Sequence, residues 1–369
     1  MLINPRFTQR FLPSRTLWML LLSVGACQWS ASSHEGTDRR DEAAETATRP
    51  PQLPYVIFDT DFGTSSGDID DLGALAVLHR LANRNECTLL ATVLDHHHNR
   101  EALAALDAVN TFYGRADIPL GYLDGRLTSG DYNFADHLAE NFAHQLDSSA
   151  ILPATQLYRK LLAQQADHSV TIVVTGKLRN MARLLRSQAD VYSPLDGQAL
   201  VAQKVDTLFV MGGQYPASTA QAESNFYNAE NCAAQQAVDS FPRPIVFNGF
   251  EVGSRDTGYA TGRALNRLAD TNPIKAGYRY WFQHPPGWAQ SSRSDTITDW
   301  SIWDQIAIHT AVRGSSPWFK RVSSGYNQVQ CDGHNRWQPS PDKDQSYLVE
   351  EIDAANFSNQ VIEPLMIAR

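Results

Sequence analysis

The chain has 369 residues, of which 43% are hydrophobic and 19% charged, with 31 basic against 40 acidic side chains and a formal net charge of −9. This much apolar material excludes a disordered chain and suffices for one large α/β domain or two ordinary ones. An acidic balance excludes nucleic acid as a partner, because phosphate binding needs clustered Lys and Arg.

The first residues differ in kind from the rest. Arg6, Arg10 and Arg15 precede the apolar run Leu17 to Gly25, which is too short to span a bilayer but suits the hydrophobic part of an export signal. Residues 1–26 are therefore expected to be a signal peptide. Leu22-Ser23-Val24-Gly25-Ala26-Cys27 resembles a bacterial lipoprotein box, so Cys27 is a candidate for a lipid that ties the chain to the membrane. Cleavage near Ala26 or Ala31 would instead release a soluble exported protein. Both readings place the chain at the bacterial envelope, in the periplasm or on the outer membrane. Residues 27–53 are polar, charged and proline-ended without apolar periodicity, which predicts a disordered tether. Residues 54–369 are expected to form one folded domain. Of the other cysteines, Cys87, Cys232 and Cys331 are too widely spaced for a disulfide framework or a zinc motif. Packing is their expected role, with one pair able to oxidise in an exported protein.

From residue 55 onward, strand and helix signals alternate. Tyr55 to Phe58 reads as a short buried strand ending in Asp59-Thr60-Asp61, and a helical period begins at Asp70-Asp71. Thr88 to Asp95 is a second strand, Arg100 to Tyr113 a helix, and Ile118 to Tyr122 a short strand. Residues 123–148 show no clear period. A helix over Ile151 to Gln165 precedes the β-branched strand Ser169 to Val174, and Leu178 to Arg186 is helical. The strands Val205 to Met211 and Pro244 to Phe247 flank a helix over Ala229 to Ser240. Nearly continuous apolar strands separated by helices predict an α/β fold, a mostly parallel central sheet with helices on both faces. In such sheets ligands bind at the carboxyl ends of the strands. The polar residues sit there: Asp59 and Asp61, Asp95 to Asn99, Thr175, Gly212 to Gln214, and Asn248 with Glu251.

The turn from Asp59 to Asp71 carries the densest chemistry. Asp59, Asp61, Asp68, Asp70 and Asp71 meet between one strand and one helix, and a helix N-terminus accounts for one or two of them at most. The remainder repel unless a cation sits among them or some stay protonated, and hard oxygen ligands on a flexible loop suit Ca²⁺ or Mg²⁺. His96-His97-His98 is a poorer metal site, because consecutive residues of an extended chain point to opposite faces.

The pattern D-T-D-x-G…D-x-D-D-L-x-A-L-A resembles the amino-terminal signature of the inosine-uridine-preferring nucleoside hydrolase family, D-x-D-P-G-x-D-D-A-x-A. Val174-Thr175-Gly176-Lys177-Leu178-Arg179-Asn180 is similar to the family's P-T-G-x-L-T-N, and Phe209-Val210-Met211-Gly212-Gly213 to its L-M-G-G. Glu223-Ser224-Asn225-Phe226 is similar to its E-F-N, and Trp303-Asp304-Gln305 stands where the family carries His-Asp-Pro. The resemblance implies a divergent bacterial member with a nucleoside hydrolase fold, and a calcium-dependent hydrolase of the N-glycosidic bond. It implies that Asp61, Asp71, the Thr175 carbonyl and Asp304 hold Ca²⁺, and that Asp61 activates the attacking water. It further implies that Asp70, Asn99, Glu223 and Asn225 bind the sugar of a nucleoside substrate. Trp303 is expected to meet the base, and a homo-oligomer is possible. Three departures stand out: extra residues from Thr64 to Gly67, Phe62 for the usual Pro, and Trp303 for the His that helps protonate the leaving base. Trp281, Trp288, Trp300 and Trp303 are able to stack a base, although aromatics at such spacing are more often core. The alternatives are a non-catalytic envelope lipoprotein that captures nucleosides or polyols, and a haloacid-dehalogenase-type phosphatase, which also ends its first strand in D-x-D.

Overall fold

The computed structural model describes residues 53–64, 67–96, 100–126, 133–146, 151–227 and 230–368. The expected leader 1–26, Cys27 and nearly all of the tether lie outside the described residues, as do His97, His98 and Asn99.

The alternation of the first strand decides where the rest of the chain goes. In β1 (Tyr55–Thr60), Val56 and Phe58 pack into one hydrophobic cluster and Ile57 into another on the opposite face. Successive side chains of a strand point to opposite faces, so a strand buried on both sides reads as a continuous apolar run. The same division runs through β2 (Thr88–Leu94), β5 (Val170–Val174), β6 (Val205–Met211) and β7 (Ile245–Asn248), with the short strands β3 (Leu120–Tyr122) and β4 (Leu152–Pro153) at one end. Helices α1 (Asp70–Asn83), α2 (Arg100–Phe112), α3 (Phe134–Asn141), α8 (Pro273–Gln283) and α9 (Trp303–Arg313) cover the first face. Helices α4 (Ala154–Gln164), α5 (Arg179–Arg186), α6 (Gly197–Lys204) and α7 (Ala233–Ser240) cover the second.

Nine of the described strands, among them β8 (Phe319–Val322) and β11 (Gln345–Glu350), form one sheet in the order β4-β3-β2-β1-β5-β6-β7-β11-β8. All pairings from β4 to β11 are parallel, and only β8 runs antiparallel to β11. The expected mostly parallel sheet with helices on both faces is therefore present. Its strand order holds one topological reversal. The chain walks outward from β1 through β2 and β3 to β4, then returns to place β5 on the other flank of β1 and walks the opposite way. The loops after β1 and β5 thus diverge, leaving a crevice where open α/β sheets bind ligands.

Several elements differ from the sequence reading. Residues 123–148, read as irregular, contain α3, whose Asn133 and Asp136 form a reciprocal capping box; this Asn-x-x-Asp spacing ahead of an apolar run was the available signal. The C-terminal region, left unassigned, adds β8 and β11 to the sheet. It also forms a separate antiparallel hairpin of β9 (Tyr326–Val329) and β10 (Asn335–Gln338). Cys232, at the start of α7, is disulfide-bonded to Cys331 in the turn of that hairpin, while Cys87 is a buried free thiol. Packing therefore describes only Cys87. No helix among the described residues is long and apolar enough to cross a membrane.

The disulfide closes a loop of 99 residues, so its loss releases a large chain entropy in the unfolded state. Replacing Cys232 and Cys331 together by Ser is expected to lower the unfolding free energy by about 2–4 kcal/mol in urea titrations. A change within 0.5 kcal/mol would show that the bond does not constrain the fold.

Candidate active site

The alternation of β1 also sorts its terminal carboxylates. Asp59 turns toward α4 and α5, where it accepts hydrogen bonds from the Tyr158 hydroxyl at 2.8 Å and from Asn180 Nδ2 at 3.0 Å. Burial pushes its carboxyl well above the usual range. Asp59 therefore leaves the group of five acids and serves as a buried strut. Thr60 turns the other way and its hydroxyl donates to Asp71 at the start of α1. Asp61 follows at the mouth of the crevice. Gly176 permits this approach, because a Cβ there would lie 2.8 Å from the Asp61 amide nitrogen and 3.0 Å from the Asp95 carboxyl carbon.

Asp70 and Asp71 occupy the first turn of α1, and Asp304 that of α9. Neither helix takes a side-chain cap from its N-cap residue, Ile69 or Ile302. The plain capping role of Asp304 is thus absent, and the three carboxylates converge instead, with one oxygen from each lying within 4.8 Å of the others. All three are buried, and the Asp304 amide donates to Asp70 Oδ2 at 3.3 Å. The positive ends of two helix dipoles offset part of the charge. Even so, each pair of charges at this range costs about 3–4 kcal/mol at an effective dielectric of ~20. Burial first, then the charges of Asp68 and Asp71, hold Asp70 well above the ordinary carboxylate range, and burial with the charges of Asp70 and Asp71 does the same for Asp304; Asp71 is raised by burial and by Asp61. Burial lifts Asp61 to about 6, opposed by the charges of Lys177 and Arg179. Acid-only oxygen donors of this kind fit a hard divalent cation such as Ca²⁺.

Across the crevice, Glu223 accepts from the Gly213 and Asn225 amides, both at 2.9 Å. Asn225 Nδ2 donates to the carbonyls of Thr175 at 2.8 Å and Met211 at 3.1 Å, joining the Glu223 loop to the ends of β5 and β6. The Thr175 hydroxyl points to Asp71 at 3.5 Å. A cavity of about 660 Å³ is lined by Asp61, Asp70, Asp71, Thr175, Glu223, Asn225, Trp303 and Asp304. Eight of the nine residues singled out in the sequence thus line one cavity; the ninth, Asn99, lies outside the described residues. The neighbouring strand-two residues are engaged elsewhere. Asp95 pairs with Arg179 at 3.1 Å, and His96 Nε2 lies 3.0 Å from the Phe62 carbonyl oxygen.

The tryptophans divide. Trp281 and Trp300 are core, while Trp288 is 56% exposed and, with Trp303, lines the cavity. Sequence reasoning missed the roles of Phe250 and Asp68 in the lining. Phe250 stacks on Trp303 with centroids 5.2 Å apart; its signal was its place directly after the Asn248-Gly249 strand end. Asn248 Nδ2 itself donates to the Trp303 carbonyl at 3.0 Å, whereas Glu251 faces away to accept from the Tyr215 amide.

A family model for inosine-uridine preferring nucleoside hydrolase matches residues 56–359. Among solved structures, the chain is similar to an inosine-uridine preferring nucleoside hydrolase from Bacillus anthracis, at 14% identity and a TM-score of 0.58 over 85% of this chain and 99% of that one. It is similar to the effector protein XOO4466, at 15% identity and a TM-score of 0.58 over 86% and 94%. It is also similar to the type III effector protein XopQ in complex with adenosine diphosphate ribose, at 14% identity and a TM-score of 0.57 over the same shares. No curated protein sequence matches the chain.

Protons and a divalent cation compete for the cluster. The raised carboxyls take up protons in the folded, ion-free state at pH values where the unfolded chain has already lost them, and the Asp61 part of this stabilisation fades as pH rises through about 6. Calcium is then expected to raise the thermal midpoint more at pH 8 than at pH 5. Comparing samples with and without the ion at each pH cancels the opposite contribution of His79 and His309, whose burial lowers them to about 3. An equal shift at both pH values would show that these carboxyls do not bind the ion. By the match of its family model over most of its length, the chain belongs to the inosine-uridine preferring nucleoside hydrolase family.

Proposed function

We propose that the protein is a calcium-dependent hydrolase of the N-glycosidic bond of ribonucleosides, and that the cluster after β1 is its catalytic centre. The observation that carries this reading is the convergence of Asp70, Asp71 and Asp304 from distant parts of the chain into one buried group beside Asp61. Asp61, Asp71, Asp304 and the Thr175 carbonyl oxygen would hold the ion, and the hydrogen bond from Asn225 to that oxygen fixes its direction. When bound, calcium supplies charge neutralisation and a Lewis acid toward neighbouring sugar hydroxyls and water.

The remaining steps belong to side chains. Asp61 takes the proton of the attacking water, and Asp70 accepts a hydrogen bond from the 2′-hydroxyl. Glu223 and Asn225 bind the far side of the ribose, and Asn99 contributes from the segment after β2. The carboxylates favour the positive charge that develops on the sugar as the bond to the base breaks. Trp303 and Phe250 supply faces for the base.

A second reading is capture of a ribose-containing ligand without turnover. It is favoured by Trp303 at the position of the family's His and by the similarity to an effector seen with adenosine diphosphate ribose. The phosphatase alternative is set aside by the family assignment. The Cys232–Cys331 bond supports export to an oxidising compartment, with residues 1–26 as the signal and either lipid attachment at Cys27 or release after cleavage.

Asp61→Ala is expected to lower kcat on p-nitrophenyl riboside by about 10²–10⁴ while circular dichroism stays unchanged. A chelator is expected to abolish turnover and added calcium to restore it. Wild-type rates in the variant, or indifference to the chelator, would refute the assignment. Calcium-dependent binding without turnover would favour the second reading.

A further inference from the structure

The β9–β10 hairpin contributes no residue to the described lining of the cavity, yet one of its side chains is bound to the turn that ends β6. Asn335, buried in β10, treats Gln214 as a neighbouring strand would: its Oδ1 accepts from the Gln214 amide at 3.0 Å, and its Nδ2 donates to the Gln214 carbonyl at 2.9 Å. Oδ1 also accepts from Ser218 Oγ at 2.7 Å, and Nδ2 donates to Asn327 Oδ1 at 3.0 Å. Both acceptor and both donor sites of the amide are thus in use. The backbone continues the join, with the Ser218 amide donating to the Asn335 carbonyl at 2.8 Å and the Trp337 amide to the Pro216 carbonyl at 2.7 Å.

The residue before Gln214 carries the consequence. Gly213 donates its amide to Glu223 Oε2 at 2.9 Å, and at φ 80° it sits between the Phe226 ring and Asn335, where a Cβ would lie 2.8 Å from the one and 3.2 Å from the other. A side chain at this position would push the three apart. The same hairpin also grips the chain beyond Glu223. A Cβ on Gly333, in the hairpin turn, would lie 2.6 Å from the Phe226 carbonyl oxygen, and Cys331 is bonded to Cys232. The segment that carries Glu223 and Asn225 is therefore held ahead of and behind them by one hairpin. A carboxylate fixed in this way binds a hydroxyl more tightly, because its ordering entropy is lost in folding rather than in binding.

We propose that the β9–β10 hairpin is a clamp on the sugar side of the cavity, and that Asn335 is a positioning residue which, acting through the Gly213 amide, aims Glu223 at the 5′-hydroxyl of the ribose. The inference rests on the hydrolase reading and concerns how that site recognises its sugar. In that reading the ion and Asp70 take the 2′- and 3′-hydroxyls, which leaves the 5′-hydroxyl to Glu223. Loosening the clamp weakens recognition of this one group and leaves the chemistry at the anomeric carbon as it was.

The test compares kcat/KM for uridine and 5′-deoxyuridine, which share the base, the bond to be broken and the 2′,3′-diol, on the full chain in calcium. The wild type is expected to prefer uridine by about tenfold. Asn335→Ala is expected to lower kcat/KM on uridine by about three- to tenfold, chiefly through KM, and to leave 5′-deoxyuridine within about twofold. The preference then largely disappears. Replacing Cys232 and Cys331 together by Ser releases the other grip without stranding a buried polar group, and is expected to shrink the preference in the same direction; it decides the matter alone if Asn335→Ala does not fold. General damage lowers both substrates alike and does not move their ratio. No preference in the wild type, or a preference that survives both changes, would overturn the clamp and leave the hydrolase reading standing. Turnover of neither substrate by the wild type would overturn the hydrolase reading and this inference with it.

Discussion

Three buried carboxylates that repel one another, held together where β1 and β5 part, set the terms for everything around them. Placing Asp70, Asp71 and Asp304 within 4.8 Å of each other is unfavourable in a protein interior unless protons or a cation neutralise them. The fold accepts this cost at its topological reversal, where two helix N-termini point inward and each strand ends in a polar loop. The surrounding contacts read as ways of holding the acids in place: Thr60 on Asp71, the Asp304 amide on Asp70, and Gly176 admitting Asp61. Asp59, two residues before Asp61, shows the contrast. It is as deeply buried, but its carboxyl oxygens are taken by Tyr158 and Asn180 rather than left open to a ligand.

The two sides of the cavity are supported differently. The sugar-facing loop, with Glu223 and Asn225, is tied down from three directions. Asn225 bonds to the ends of β5 and β6, Lys177 bonds to the carbonyls of Ser224 and Tyr227, and the β9–β10 hairpin packs on its back. In that hairpin, a Cβ at Gly333 would lie 2.6 Å from the Phe226 carbonyl oxygen, Asn335 bonds to Gln214, and Cys331 is bridged to Cys232. The aromatic part of the lining adjoins this loop, the Phe250 amide donating to the Gly213 carbonyl at 2.9 Å. It is carried by Trp303 on α9 and by the segment after β7, so its position is coupled directly to Asp304, the next residue along the helix.

Much of this was legible in the sequence because the signals were local or repeated. Continuous β-branched strands between amphipathic helices dictated the parallel sheet, and polar residues at the strand ends marked the ligand face. Asp304 was reachable only through the resemblance to a known family, since nothing near it in the sequence announces that it joins Asp70 and Asp71. Long-range facts were not legible at all. The divergence of Asp59 from its neighbours depends on which helix lies over each face of β1, and the Cys232–Cys331 pairing depends on a hairpin whose short strands, Tyr326–Val329 and Asn335–Gln338, have weak alternation. Asp68 looked like one more member of the acidic turn. Its bond from Trp300, more than two hundred residues away in the chain, has no local signal.

A crystal structure of the protein with calcium and a bound ribonucleoside tests the central claim most directly. The account predicts one ion contacted at about 2.3–2.6 Å by oxygens of Asp61, Asp71, Asp304 and the Thr175 carbonyl, with the ribose hydroxyls beside it. An ion bound elsewhere, or a sugar seated away from Asp70, Glu223 and Asn225, would contradict it.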